Sequence, residues 1–265
     1  MYIEVAAHRG NVAGYPENTM LAYRSAYEIG ADMIELDLHM TKDGEIVLIH
    51  DGDLARTADV AGNIRQLTLD EILRADVGIK RGEEFKGTRV PTLREFCEFV
   101  SRENDTMQFN FEFKDYFRHG VEFAKESADK IIAMIDDYGL WDRSFVNSFD
   151  GELLAYVEEK YDGRFRLHGF YPYNILGNAR PKRLYCACLM DYRNPDGALA
   201  FEGPVNPKKD FDALIADGVR PWVSASIHTI DDMVRAANLG AELITSNEPA
   251  FMITELEKEG LRVKE

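Results

Sequence analysis

The chain has 265 residues and a formal net charge of −16, with 47 Asp and Glu against 31 Lys and Arg. At roughly 150 residues per domain this length allows one or two domains, enough to bury a large core without staples. The acidic balance argues against nucleic acid or an anionic membrane as a general partner, so an anionic substrate needs local positive charge or a metal. Three cysteines cannot all pair within one chain, Cys186 and Cys188 share one face of a predicted strand, and no Cys–His spacing resembles a zinc site. Reduced thiols are expected. No apolar stretch approaches the ~18 residues of a membrane span. The start, Met1-Tyr2-Ile3-Glu4-Val5, lacks the regions of a signal peptide. A soluble, cytoplasmic protein is expected.

Strand-like runs alternate with helix-period segments along the chain. The predicted strands are Ile3–His8, Met33–Leu38, Gln108–Lys114, Phe145–Phe149, Phe165–His168, Leu184–Met190, Val219–Ala225 and Glu242–Thr245. Asn18-Thr19 opens a helix to Ile29, Thr92-Leu93-Arg94-Glu95 is a capping box for a helix to about Val100, Asp150 caps a run to Lys160, and Thr229 caps one to Leu239. This alternation fits a (β/α)₈ TIM barrel, and no Gly-x-Gly-x-x-Gly fingerprint follows the first strand. Lys42-Asp43-Gly44-Glu45 interrupts the pattern as a hairpin turn joining Met33–Thr41 to Ile46–His50. A turn centred on Asp43-Gly44 predicts Asp37 opposite His50. Residues 52 to 91, too long for a plain βα loop, read as a small insertion after the hairpin within a single barrel domain spanning 1–265.

Candidate chemistry gathers at the ends of the early strands, where a barrel keeps its active site. Glu35 and Asp37 share one strand face. Asn110, Glu112 and Lys114 share another, with Phe109, Phe111 and Phe113 turned toward the helices. Carboxylates inside a barrel need counter-charge. A lysine–carboxylate lattice and a hard-cation site for Mg²⁺ or Ca²⁺ both satisfy that need; His8 and His50 favour the site, because paired histidines beside a cation suit acid–base work.

His8-Arg9-Gly10, Pro16-Glu17-Asn18-Thr19, Glu35-Leu36-Asp37, Asp43-Gly44, His50-Asp51, Pro91-Thr92-Leu93 and Glu112-Phe113-Lys114 together resemble the glycerophosphodiester phosphodiesterase family. The resemblance covers essentially the whole chain and is strongest from His8 to Lys114. It implies a (β/α)₈ barrel with an insertion after the His-Asp pair. It further implies a divalent cation, Mg²⁺ or Ca²⁺, on Glu35, Asp37 and Glu112, His8 and His50 as the general acid–base pair, and Arg9 and Lys114 on the phosphate. The implied reaction is hydrolysis of glycerophosphocholine- or glycerophosphoethanolamine-type diesters to glycerol 3-phosphate and an alcohol. Three carboxylates and one divalent cation leave one negative charge, the diester brings another, and Arg9 and Lys114 cancel both. The alternatives are a related phosphodiesterase acting on lysophospholipids and a catalytically silent phosphate-ester-binding protein.

Other residues carry plainer expectations. Asn18 is read as a helix cap, His39 as a solvated turn residue, His119 as uninvolved, and His168 as a weak pocket candidate. Glu17 is read as a helix cap or a substrate contact, the latter including support of a catalytic histidine. The late strands depart from the family: Ala225, Ser226, Ile227 and His228 stand where members carry Trp-Thr-Val-Asn, and Ser246 stands for an aspartate. A headgroup preference unlike that of a choline-ester enzyme is expected, with Trp222 able to replace the missing ring.

Overall fold

The structure is a computed structural model that describes residues 1–103, 106–177 and 179–263. Eight parallel strands close into a barrel in the order β1 (Glu4–Ala7), β9 (Leu243–Ser246), β8 (Arg220–Val223), β7 (Cys186–Leu189), β6 (Arg166–Tyr171), β5 (Ser144–Asn147), β4 (Gln108–Phe113), β2 (Met33–Met40), with β2 returning to β1. β3 (Ile46–Leu48) hangs antiparallel on β2. Outside lie α1 (Met20–Glu28), α3 (Leu93–Val100), α4 (Val121–Asp137), α5 (Gly151–Lys160), α6 (Lys208–Ala216), α7 (Ile230–Asn238) and α8 (Pro249–Lys258), with α2 (Leu69–Ile72) in the segment between β3 and α3. Outward Phe109 and Phe111 meet Phe96 of α3 at ring distances of 5.4 and 6.2 Å, which fixes that helix on the sheet. No described helix is long and apolar enough to cross a membrane.

The caps read from the sequence form. Thr19, Thr92, Asp150 and Thr229 each accept a hydrogen bond from the first turn of their helix. The hairpin differs from its expected register by one residue. Residues 42–44 make a three-residue loop, closed by the Thr41 amide on Glu45 O (2.8 Å) with Gly44 at φ +85°. Leu38 therefore pairs with Leu48, and the Asp37 carbonyl accepts from Ile49, not His50. The segment that follows packs Leu54, Ala58, Ile64, Ile72, Ala75, Val77 and Val90 with Val47 and Ile49, a cluster separate from the main core. The barrel floor is closed by polar side chains. Gln108 donates to Glu4 (3.2 Å) and accepts from Arg166 (3.0 Å), and Arg220 donates to Glu4 (3.3 Å) and Glu242 (2.6 Å). All three cysteines are free and buried, Cys186 and Cys188 on β7.

Candidate active site

Strand register assembles the acidic cluster. Glu35 lies beside Asn110 and Asp37 beside Glu112 across β2 and β4, all turned into the barrel. Glu35, Asp37 and Glu112 are 2%, 0% and 6% exposed and present carboxylate oxygens all within 4.8 Å of one another. Lys114 Nζ lies 2.5 Å from Glu112 Oε1 and 3.0 Å from Asp37 Oδ1, and Arg9 Nε lies 3.3 Å from Asp37 Oδ2. The Asn18 amide donates to Asp37 Oδ2 (2.8 Å). Thr19, not Asn18, caps α1; Asn18 sits at φ +52° with its side chain spent on Asp37, Tyr23 and the Asp37 amide. Arg9 takes φ +57°, which aims its amide at Glu35 Oε2 (2.8 Å), and a Cβ on the next residue, Gly10, would meet Ala22 at 2.7 Å.

The electrostatics are unbalanced. Burial and the neighbouring carboxylates push Glu35 well above the usual carboxylate range. Burial and Asp37 likewise raise Glu112 against the pull of Lys114. Burial also opposes charge on Asp37, but Lys114 and Arg9 override it and hold that group low. Arg9 is shared with Glu17 (3.0 Å), so the cluster lacks one full positive counter-charge. Glu35 Oε1, buried, has neither a hydrogen bond nor an ion pair among the described residues. An all-oxygen, anionic donor set with an orphaned carboxylate oxygen fits a hard divalent cation. The lysine–carboxylate lattice considered from the sequence also exists, through Lys114.

A cavity of about 400 Å³ opens above the cluster, lined by His8, Arg9, Glu35, His50, Glu112 and Lys114 and, on the far strands, by Asn110, Asn147, His168 and Ala225. All seven predicted site residues meet here, with Asp37 buried behind the others. His8 Nδ1 faces Asn247 Oδ1 at 2.6 Å, which leaves Nε2 as its lone-pair nitrogen; burial and Arg9 push it down to about 4. His50 Nδ1 faces Asp51 Oδ1 at 2.6 Å. Asp51 continues to Arg56 (2.5 Å) and Arg56 to Glu17 (2.7 Å), so the two histidine arms are tied together through Glu17 and Arg9. His39 is no solvated turn residue: it is 6% exposed and bridges Asp115 Oδ1 to the His50 carbonyl, both at 3.2 Å.

Sequence reasoning missed Asn247, Asp115 and Asn147 and undervalued His168. His168 stacks on Trp222 at 4.1 Å, its Nδ1 lies 3.2 Å from Asn110 Oδ1, and burial lowers it to about 3. Its Nε2, Asn110 Nδ2 and Asn147 Oδ1 are buried without hydrogen-bond partners among the described residues. Strand parity after β4 was the available signal, since Glu112, Asn147 and His168 are successive register partners. Trp222 does not replace the missing ring. It is fully buried in the barrel interior, with Nε1 donating to Thr245 Oγ1 (2.8 Å).

A profile of the Glycerophosphoryl diester phosphodiesterase family matches residues 8–249. The chain belongs to this family. A glycerophosphodiester phosphodiesterase of Caldanaerobacter subterraneus subsp. tengcongensis is 31% identical over 248 residues, covering 87% of this chain and 97% of the relative. One of Bacillus altitudinis is 37% identical over 154 residues, 57% of this chain and 60% of the relative. The fold matches a phosphodiesterase of Oleispira antarctica in complex with sn-glycerol-3-phosphate, with TM-score 0.78, 20% identity and 97% of each chain covered. The chain is therefore a phosphoric diester hydrolase on a (β/α)₈ barrel.

Proposed function

We propose that the chain hydrolyses glycerophosphodiesters such as glycerophosphocholine and glycerophosphoethanolamine to glycerol 3-phosphate and an alcohol, with Mg²⁺ or Ca²⁺ held by Glu35, Asp37 and Glu112. The observation that carries this reading is one cavity shared by that acidic cluster and two histidines, each fixed through Nδ1. When bound, the cation supplies electrostatic stabilisation of charge on the phosphoryl oxygens. Arg9 and Lys114, both in the cavity wall, supply the positive charge that a phosphate needs in an acidic protein. His8 presents Nε2 as the base that takes a proton from the attacking oxygen. His50 returns a proton to the leaving oxygen, its imidazolium supported by Asp51. Asn110, Asn147 and His168 offer one donor and two acceptors to the glycerol hydroxyls.

The test is an assay of glycerophosphocholine and glycerophosphoethanolamine with Mg²⁺ or Ca²⁺, coupled to detection of glycerol 3-phosphate. Excess EDTA should abolish turnover. Glu35→Gln, Asp37→Asn and Glu112→Gln should each weaken cation binding, and the cation should raise the Tm of the wild type by mass action. Unchanged activity in EDTA would assign the carboxylates to the Lys114 lattice instead.

A further inference from the structure

We propose that a second groove, beside His8 and Arg9, receives the alcohol arm of the substrate and selects an arm bearing its own phosphate. The proposal rests on the phosphodiesterase reading above and adds the substrate class. The groove encloses about 940 Å³ and meets the catalytic cavity at His8 and Arg9, which line both. Four cations, Arg9, Arg56, Lys80 and Arg81, line it against two carboxylates, Glu17 and Glu248. Glu17 is already shared between Arg9 (3.0 Å) and Arg56 (2.7 Å). Lys80 and Arg81 make no ion pair among the described residues. Lys80 Nζ donates to the Ala55 carbonyl, and Arg81 Nη2 donates to the carbonyls of Val12 (3.2 Å) and Ala13 (2.6 Å). Those neutral acceptors hold both side chains in place without cancelling their charge, and they leave further N–H donors for a ligand. In a chain of net charge −16, two fixed, unneutralised cations in a concave wall mark where an anion is favoured over the bulk surface. A quaternary ammonium finds little there. Among the described residues of the wall Tyr15 is the one Phe, Tyr or Trp, and its ring meets Phe85 edge-on at 6.0 Å, so those residues form no aromatic cage.

The experiment compares kcat/KM of the full chain, with its divalent cation, on three substrates: glycerophosphocholine, glycerophosphoglycerol and glycerophosphoinositol 4-phosphate. The expected order is the phosphate-bearing arm first, the neutral arm second and choline last, with the first step about tenfold or more. Raising NaCl from ~0.05 to ~0.5 M should collapse that step, because exposed charges are screened. Lys80→Ala and Arg81→Ala should remove it as well, leaving the neutral substrate and the Tm nearly unchanged. Equal losses on all three substrates would overturn the proposal and make the two cations mere clamps, Arg81 on the loop after β1 and Lys80 on the segment after β3. So would a wild-type ranking indifferent to arm charge and salt, a result that needs no variant to fold. Absence of turnover on every substrate is a different result: it removes the phosphodiesterase reading and this proposal with it.

Discussion

Replacing Asp115 with alanine should unfold the support under His50. Asp115, 2% exposed, accepts from the Met40 amide (2.8 Å), Ser127 Oγ (2.8 Å) and Arg65 Nε (3.2 Å), and faces His39 Nδ1 (3.2 Å). One carboxylate thus joins β2, α4, the segment after β3 and, through His39, the His50 carbonyl. The variant strands two buried neutral donors, at about 1–3 kcal/mol each. Arg65, 24% exposed along its side chain, regains water and adds at most about 1 kcal/mol. The expected loss is about 2–7 kcal/mol, or about 4–14 °C in Tm at roughly 2 °C per kcal/mol for a chain of this size. Urea titration and calorimetry measure it, and kcat should fall in parallel because His50 loses its tie. Burial opposes the charge on Asp115, yet His39, the Met40 amide and Ser127 override it and hold the group below the usual carboxylate range. Its stabilisation is therefore complete above the ordinary aspartate value of ~3.9 and disappears as pH falls through the depressed folded value. The gap between wild type and variant should shrink below about pH 4. A variant within about 0.5 kcal/mol of wild type and fully active would refute the argument.

The remaining predictions concern the cavity. His8→Ala and His50→Ala should each lower kcat by ~10²–10⁴-fold while calorimetric cation affinity stays near that of the wild type; normal turnover in either variant removes that residue from the pair. A base must be deprotonated to act, so with His8 pushed down to about 4 the acidic limb of kcat/KM should lie well below the ordinary histidine value of ~6.5; a limb near that value sinks the assignment. Asn147→Leu should raise KM for glycerophosphodiesters by about tenfold or more but leave bis(p-nitrophenyl) phosphate unaffected, since that diester carries no glycerol hydroxyl. Equal effects on both would make Asn147 a packing residue.

What could be read from the sequence is what local rules encode. Strand parity put Glu35, Asp37 and Glu112 on interior faces, and Thr and Asp caps announced α1, α3, α5 and α7. α4, α6 and α8 start without a side-chain cap hydrogen bond, behind Gly120, Pro207 and Glu248, and none of them was delimited. The misread residues share a different property: their partners are far away along the chain. His39 meets Asp115, 76 positions on, and Asn18 meets Asp37 on β2, 19 positions on. Each was assigned the role its neighbours in sequence suggest, a cap or a turn, because tertiary partners leave no local signature. The register of the hairpin failed for a related reason. Asp43-Gly44 permits a two-residue turn, but Gly44 alone takes the left-handed conformation, so a three-residue loop forms and His50 slides one place past Asp37. That slip matters chemically. With Ile49 bonded to the Asp37 carbonyl, His50 lies beyond the ladder, free to bond Asp51 on one side while its carbonyl meets His39 on the other. A histidine locked opposite Asp37 would have had its backbone fixed by β2; placed one residue later, it is aimed by side chains, and its position depends on the Asp51 and Asp115 carboxylates.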